Sequence, residues 1–211
     1  MLSQRILTRN PKADAYLDAI EMVTGVCLVG FLWAHMLFVS TIILGQEVFD
    51  GLSEFFDIYL LSYIGVPVII VIGLIHFVVA GRRIPTNIRD QKIIWQHAKL
   101  IRHTDTWTWI FQAITGMAIL VLGALHIWAI STGWPIRAES GAERMQAFWW
   151  FYLILLALGE YHASIGLYRV FVKWGWFPRK PIFFVLKVVT LIIIALGLGA
   201  MWVFLKIGGA A

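Results

Sequence analysis

Five helices crossing a lipid bilayer are the fold this sequence predicts, and three observations carry the prediction. Of its 211 residues, 60% are hydrophobic and 14% charged, whereas soluble domains carry roughly 25% charge. The mean hydropathy is +0.81. The apolar residues fall into five runs, 19–44, 58–80, 107–130, 148–171 and 182–205, each near or above the roughly 20 residues a spanning helix needs. None alternates like a strand of an outer-membrane barrel. The predicted class is all-α: one integral membrane bundle, a single domain over residues 1–211.

The chain opens with "MLSQRILTRNPKADAY", polar and basic. The run behind it is too long for a signal-peptide core, so it reads as a retained first span. It holds Cys27, the one cysteine, which excludes a disulfide framework or thiolate cluster within the chain and reads as a small packing residue. The second span contains Pro67, whose ring and missing amide hydrogen predict a kink that neighbouring helices can absorb. In the connection 81–106, "NIRDQKIIWQHAKLIRH" places Ile88, Trp95, Ala98 and Ile101 near one face at helical spacing. That pattern predicts a short helix on the inner membrane surface, ending before Thr104 and Asp105 open the third span. His97 and His103 in this segment are read as surface residues. "STGWPIRAESGAER" predicts a compact outer cap before the fourth span. Trp107, Trp134, Trp149, Trp150, Trp174 and Trp176 lie near span ends, where indole rings anchor helices at the headgroups.

The net charge of +5 is distributed asymmetrically. Arg5, Arg9 and Lys12 precede the first span; Arg82, Arg83, Arg89, Lys92, Lys99 and Arg102 fill the second connection; Arg169, Lys173, Arg179, Lys180 and Lys187 surround the fourth. The first and third connections carry Glu47, Asp50, Glu54, Asp57, Glu139 and Glu143, with Arg137 and Arg144 their basic residues. By the positive-inside rule the N-terminus is cytoplasmic and the C-terminus outside. The basic excess is thereby explained by the membrane, without nucleic acid.

Four of six histidines lie inside spans: His35, His76, His126 and His162, one on each of the first four. Ionisable groups in hydrocarbon are costly and by default mark a function facing the bundle interior. At about 1.5 Å rise per residue, His76 and His162 fall in the inner half of the membrane and His35 and His126 in the outer half. "GLIH", "GALH" and "GEYH" place Gly73, Gly123 and Gly159 three residues before their histidines, on the same helix face. Gly166 follows His162 by four residues, and Gly30 precedes His35 by five. Glycine at these positions leaves room beside the imidazole for something flat and wide. Close helix packing also uses glycine, but three histidines in one register favour a porphyrin. The reading is two bis-histidine b haems, an inner one on His76 and His162 and an outer one on His35 and His126. Propionates would find cations in Arg169 and Lys173 within and Arg144 without. A bare zinc or copper site would gather its ligands at one depth.

Two haems at different depths make an electron path across the bilayer, and the natural reaction partner in lipid is a quinone. The segments "HMLFVSTIILG", "LIRHTDTWTW", "ITGMAILVLGALH" and "GEYHASIGLYRVFVKWGWF" resemble the single-chain di-haem cytochrome b subunit of quinol:fumarate reductases and menaquinone-linked succinate dehydrogenases. The resemblance runs from about residue 18 to 202. It implies that the four histidines ligate two haems, paired as their depth suggests. It also implies a flavoprotein subunit and an iron–sulfur subunit on the cytoplasmic face, and electron flow between menaquinol and fumarate in either direction. The setting would be the bacterial inner membrane, with a dimer of the whole complex left open. Glu160 matches a glutamate thought to carry protons through the membrane in this family, and desolvation would help a buried carboxylate hold one. The family's quinol-site acid lies in the first outer connection, where this chain offers Glu54 and Asp57. The rival readings are the di-haem anchor of a nitrate reductase or hydrogenase and, from another class, a haem-free proton-linked transporter.

Overall fold

The computed structural model describes residues 11–209, and every regular element in them is helical. Helix α1 (Pro11–Ser40) runs through a 3₁₀ turn, Thr41–Leu44, to Gly45. Then come α2 (Gln46–Ile58), α3 (Leu61–Gly81), α4 (Ile88–Ile101), α5 (Thr104–Thr132), α6 (Ala138–Lys173) and α7 (Arg179–Gly208). Helices α1 with its turn, α3, α5, α6 and α7 are long and apolar enough to cross a membrane, matching the five expected spans. Arg5 and Arg9 lie outside the described residues.

Local chemistry sets several boundaries. Asn87 caps α4 by accepting a hydrogen bond from the Arg89 amide at 2.8 Å, the usual service of an Asn before a first turn. His103 caps α5, its Nδ1 accepting from the Asp105 amide at 3.3 Å. Pro67 sits inside α3, which runs unbroken through it. Phe148 does depart from helical geometry, at φ −135° and ψ 33° within α6, where the fourth span was expected to begin. The segment expected as a compact cap is accordingly part helix: Ala138 to Met145 form the first turns of α6. Cys27 is exposed rather than packed.

Helix α2 is absent from the expected architecture, which left this acidic stretch as a loop. Val48, Phe49, Leu52, Phe55 and Phe56 recur at helical spacing in it, and Phe49 and Ser53 are buried. Two polar contacts clamp it to the start of α6. Asp50 accepts the Ala138 amide at 2.7 Å, and Ser53 Oγ donates to the Ile136 carbonyl at 2.8 Å. Asp50, expected only as one acid of a connecting loop, is a cap delivered from another helix.

The tightest seam joins α6 and α7, where Ala138, Ala142 and Ala200 are buried; small residues let membrane helices approach closely. Ile42, Phe49, Met145 and Phe204 complete that cluster, while Leu167, Ile182 and Leu186 form a second one at the other end of the same seam. A charged cluster gathers helix ends. Asp18 on α1 pairs with Arg82 and Arg83 after α3 and, at 2.5 Å, with Lys173 ending α6; Glu21 takes Arg82 at 2.8 Å. Asp105 at the start of α5 faces Arg179 at the start of α7 at 3.8 Å. The five long helices thus alternate in direction, with one strongly basic end.

Candidate functional site: two histidine pairs in the bundle

The four span histidines sit on α1, α3, α5 and α6, all half-buried. His35 and His126 meet with ring centroids 6.0 Å apart and planes inclined at 64°. Phe31, one turn before His35, stacks on it at 5.7 Å, and Tyr152 of α6 meets His126 edge-on at 5.8 Å. His126 Nδ1 is buried without a hydrogen-bond partner. Nearer the basic end, His76 and His162 lie close enough for a charge on one to act on the other.

This second pair is held by contacts that the sequence reading did not identify. Thr24 Oγ1 lies 3.1 Å from His76 Nδ1, and Thr115 Oγ1 lies 3.1 Å from His162 Nδ1. Gln112 adds a hydrogen bond from Nε2 to the His162 carbonyl at 2.9 Å. The signal was present as a repeated Thr-Gly dipeptide, within "VTG" in the first span and "ITG" in the third.

The glycines divide into two kinds. A Cβ built at Gly30, Gly73, Gly123 or Gly159 meets no atom within 4 Å, although Gly73, Gly123 and Gly159 are half-buried. Gly166 differs, since its Cβ would fall 2.9 Å from Gln112 Nε2. That glycine admits a neighbouring side chain, so the space beside it is taken by protein.

The cations are also sorted. Lys173 is engaged by Asp18, 155 residues away. Arg169 is half-buried with Nη1 unpartnered. Arg144 donates to Ser140 Oγ at 3.0 Å and lies within charge range of His126 and Tyr152. Glu160, 1% exposed, accepts from Trp33 Nε1 at 3.3 Å and lies near Thr190, whose hydroxyl pairs with Ser164. Its Oε1 has no partner. Of the two acids expected at a quinol site, Glu54 is exposed, whereas Asp57 is half-buried, faces Arg137 at 3.8 Å and keeps Oδ1 buried and unpartnered.

Among the described residues, no three His, Cys, Asp or Glu side chains gather as a metal site would require. Paired imidazoles suit instead a group that brings its own equatorial ligands. The His35 and His126 rings, with centroids 6.0 Å apart, are near enough for one group to be held between them.

The sequence pattern of the family described as the succinate dehydrogenase/fumarate reductase transmembrane subunit matches residues 88–205. The fumarate reductase cytochrome b subunit of Helicobacter pylori is 35% identical over 208 residues, covering 92% of this chain and 82% of the relative. That of Wolinella succinogenes is 35% identical over 183 residues, covering 82% and 72%. The succinate dehydrogenase cytochrome b558 subunit of Bacillus subtilis is 25% identical over 169 residues, covering 77% and 81%. These bacterial relatives and the five apolar helices make the protein a multi-pass component of a bacterial inner membrane. The chain belongs to the cytochrome b membrane subunits of fumarate reductase and succinate dehydrogenase.

Proposed function

We propose that this chain is the quinone-reactive membrane subunit of a succinate/fumarate:quinone oxidoreductase. In this reading it exchanges electrons between menaquinol and cytoplasmic flavoprotein and iron–sulfur subunits. The observation that carries the proposal is the arrangement of four histidines on four helices as two pairs at different depths, three of them beside glycines with open space. When bound, two b haems supply one-electron relays at two levels of the bilayer. His35 with His126, and His76 with His162, are the residues that hold them. Arg144 stands beside the first pair and Arg169 on the basic side of the second, each positioned to bind propionate oxygens. Lys173 would serve only by sharing itself with Asp18.

Quinol oxidation releases protons, so the chain must supply an acceptor at the quinol's end. Asp57 fits this role better than Glu54, because its carboxylate is half-buried with one oxygen free and Arg137 beside it. Glu160 holds a proton at mid-membrane: Trp33 orients the carboxyl, and Oε1 remains free to receive and release. The basic excess on the N-terminal side orients that face to the cytoplasm, where α4 lies along the membrane surface and the catalytic subunits dock.

The test is a dithionite-reduced minus oxidised spectrum of the purified complex, with pyridine-haem quantification per chain. Two b haems are expected. His76→Ala and His162→Ala should each remove the same haem, and His35→Ala and His126→Ala the other. A well-folded preparation without haem would overturn the proposal, and His76→Ala and His162→Ala affecting different haems would overturn the pairing.

A further inference from the structure

We propose that Thr24–Gly25 and Thr115–Gly116 are a matched pair of positioning dipeptides. They preset His76 and His162 with Nε2 bare for iron, an inference that rests on the haem-ligand reading of those histidines. The geometry is the same on both sides. Thr24 Oγ1 lies 2.7 Å from the Ile20 carbonyl one turn back, and Thr115 Oγ1 lies 2.8 Å from the Phe111 carbonyl one turn back. A hydroxyl has one hydrogen, and in each threonine it is committed to that backbone carbonyl. Toward the imidazole, at 3.1 Å in both cases, the hydroxyl oxygen therefore accepts. The Nδ1 of each histidine carries the hydrogen, and a neutral imidazole has only one to place. Its Nε2 lone pair is left free, the tautomer an iron ligand needs.

The following glycine completes each clamp. A Cβ at Gly25 would lie 3.1 Å from His76 Cε1, and one at Gly116 would lie 2.9 Å from His162 Cε1. Both rings therefore rest against bare backbone. The clamps act across helices: α1 holds the histidine of α3, and α5 holds that of α6. All four helices are thereby engaged at this one level. A back-bonded threonine alone is ordinary in membrane helices. Two of them, each meeting a histidine at the same distance and each followed by the glycine that meets the same ring, make a device. The outer pair is built differently, since His126 Nδ1 has no acceptor.

An acceptor on the far nitrogen makes an imidazole a stronger donor to its metal, which favours the ferric state and lowers the potential. Removing the acceptor should raise it. The experiment uses Thr24→Val, Thr115→Val, Thr24→Ser and Thr115→Ser in the intact complex. Readouts are haem b per chain, both midpoint potentials by redox titration, and the low-spin electron paramagnetic resonance signal of each haem. The valine variants should shift the inner haem's potential upward and alter its signal while leaving the outer haem unchanged, and serine should restore both. If a valine variant fails to accumulate, the alanine variant removes the hydroxyl without adding bulk and is judged by the same criteria. Wild-type potentials and signals in the hydroxyl-free variants, or a change confined to the outer haem, would overturn the proposal. Failure of the haem reading itself is separable: the wild type would then lack haem, or His76→Ala would leave both haems in place.

Discussion

Gly159→Ala separates a glycine kept for a bound group from one kept for helix packing. In a helix interior alanine is favoured over glycine by about 1 kcal/mol, and a Cβ at Gly159 meets no protein atom within 4 Å. On protein grounds alone the substitution should stabilise α6. If a macrocycle lies against that face, the methyl group overpacks it, at a typical cost of about 1–3 kcal/mol. At about 1.4 kcal/mol per factor of ten, haem binding at the inner site should weaken roughly 5- to 140-fold. The natural control is Gly197→Ala, whose Cβ would fall 2.8 Å from Leu156 Cδ2 and 2.9 Å from Met36 Cε. That change strains the α1–α6–α7 seam, although the struck atoms are flexible side-chain ends, so its cost belongs low in the same range. The assay is the rate of haem transfer to an apo-globin acceptor, read beside thermal unfolding in detergent. Gly159→Ala should release haem faster with folding intact, and Gly197→Ala should unfold at lower temperature with little direct effect on haem. A Gly159→Ala variant that gains stability and releases haem at the wild-type rate would refute the reasoning.

Three further outcomes follow from single contacts. Asp50→Ala removes the cap that α2 lends to α6 and should cost about 0.5–2 kcal/mol, lowering the unfolding midpoint; Asp50→Asn, which keeps an acceptor, should recover most of it, and equal midpoints for all three proteins would dismiss the contact. Asp57→Asn should keep both haems yet slow oxidation of a menaquinol analogue by roughly 10²-fold or more, the usual scale for losing a general base; if Glu54→Gln does this instead, the acid has been misassigned. Glu160→Gln keeps the size and the Trp33 donor's acceptor, so dithionite-reduced spectra should stay normal while quinol-driven turnover falls, and unchanged turnover would remove Glu160 from proton transfer.

What could be read before the fold was known, and what could not, follows from how each residue meets its cost in lipid. The spans were legible because length and apolarity are local properties, as were the histidines, whose ionisable rings have no cheap solution within their own helix. Helix α2 was not, because its apolar residues recur over too short a stretch and among too many acids to stand out from a loop. Asp50 reaches Ala138 across 88 residues and Lys173 reaches Asp18 across 155, so no pattern along the chain announces either pairing. Gly166 looked like its counterparts because all glycines look alike in sequence, and only the fold brings Gln112 against it. The threonines were hidden for a subtler reason. A hydroxyl that bonds the carbonyl one turn back is already satisfied in hydrocarbon, so Thr24 and Thr115 raise no question when polar residues are sorted by what burying them costs. Yet that self-satisfaction is what fixes their direction: with the hydrogen spent on the helix, the oxygen has only lone pairs to offer an imidazole. The threonines proposed to hold His76 and His162 are thus among the residues whose burial costs least, and a sorting of polar residues by the cost of burying them passes over both.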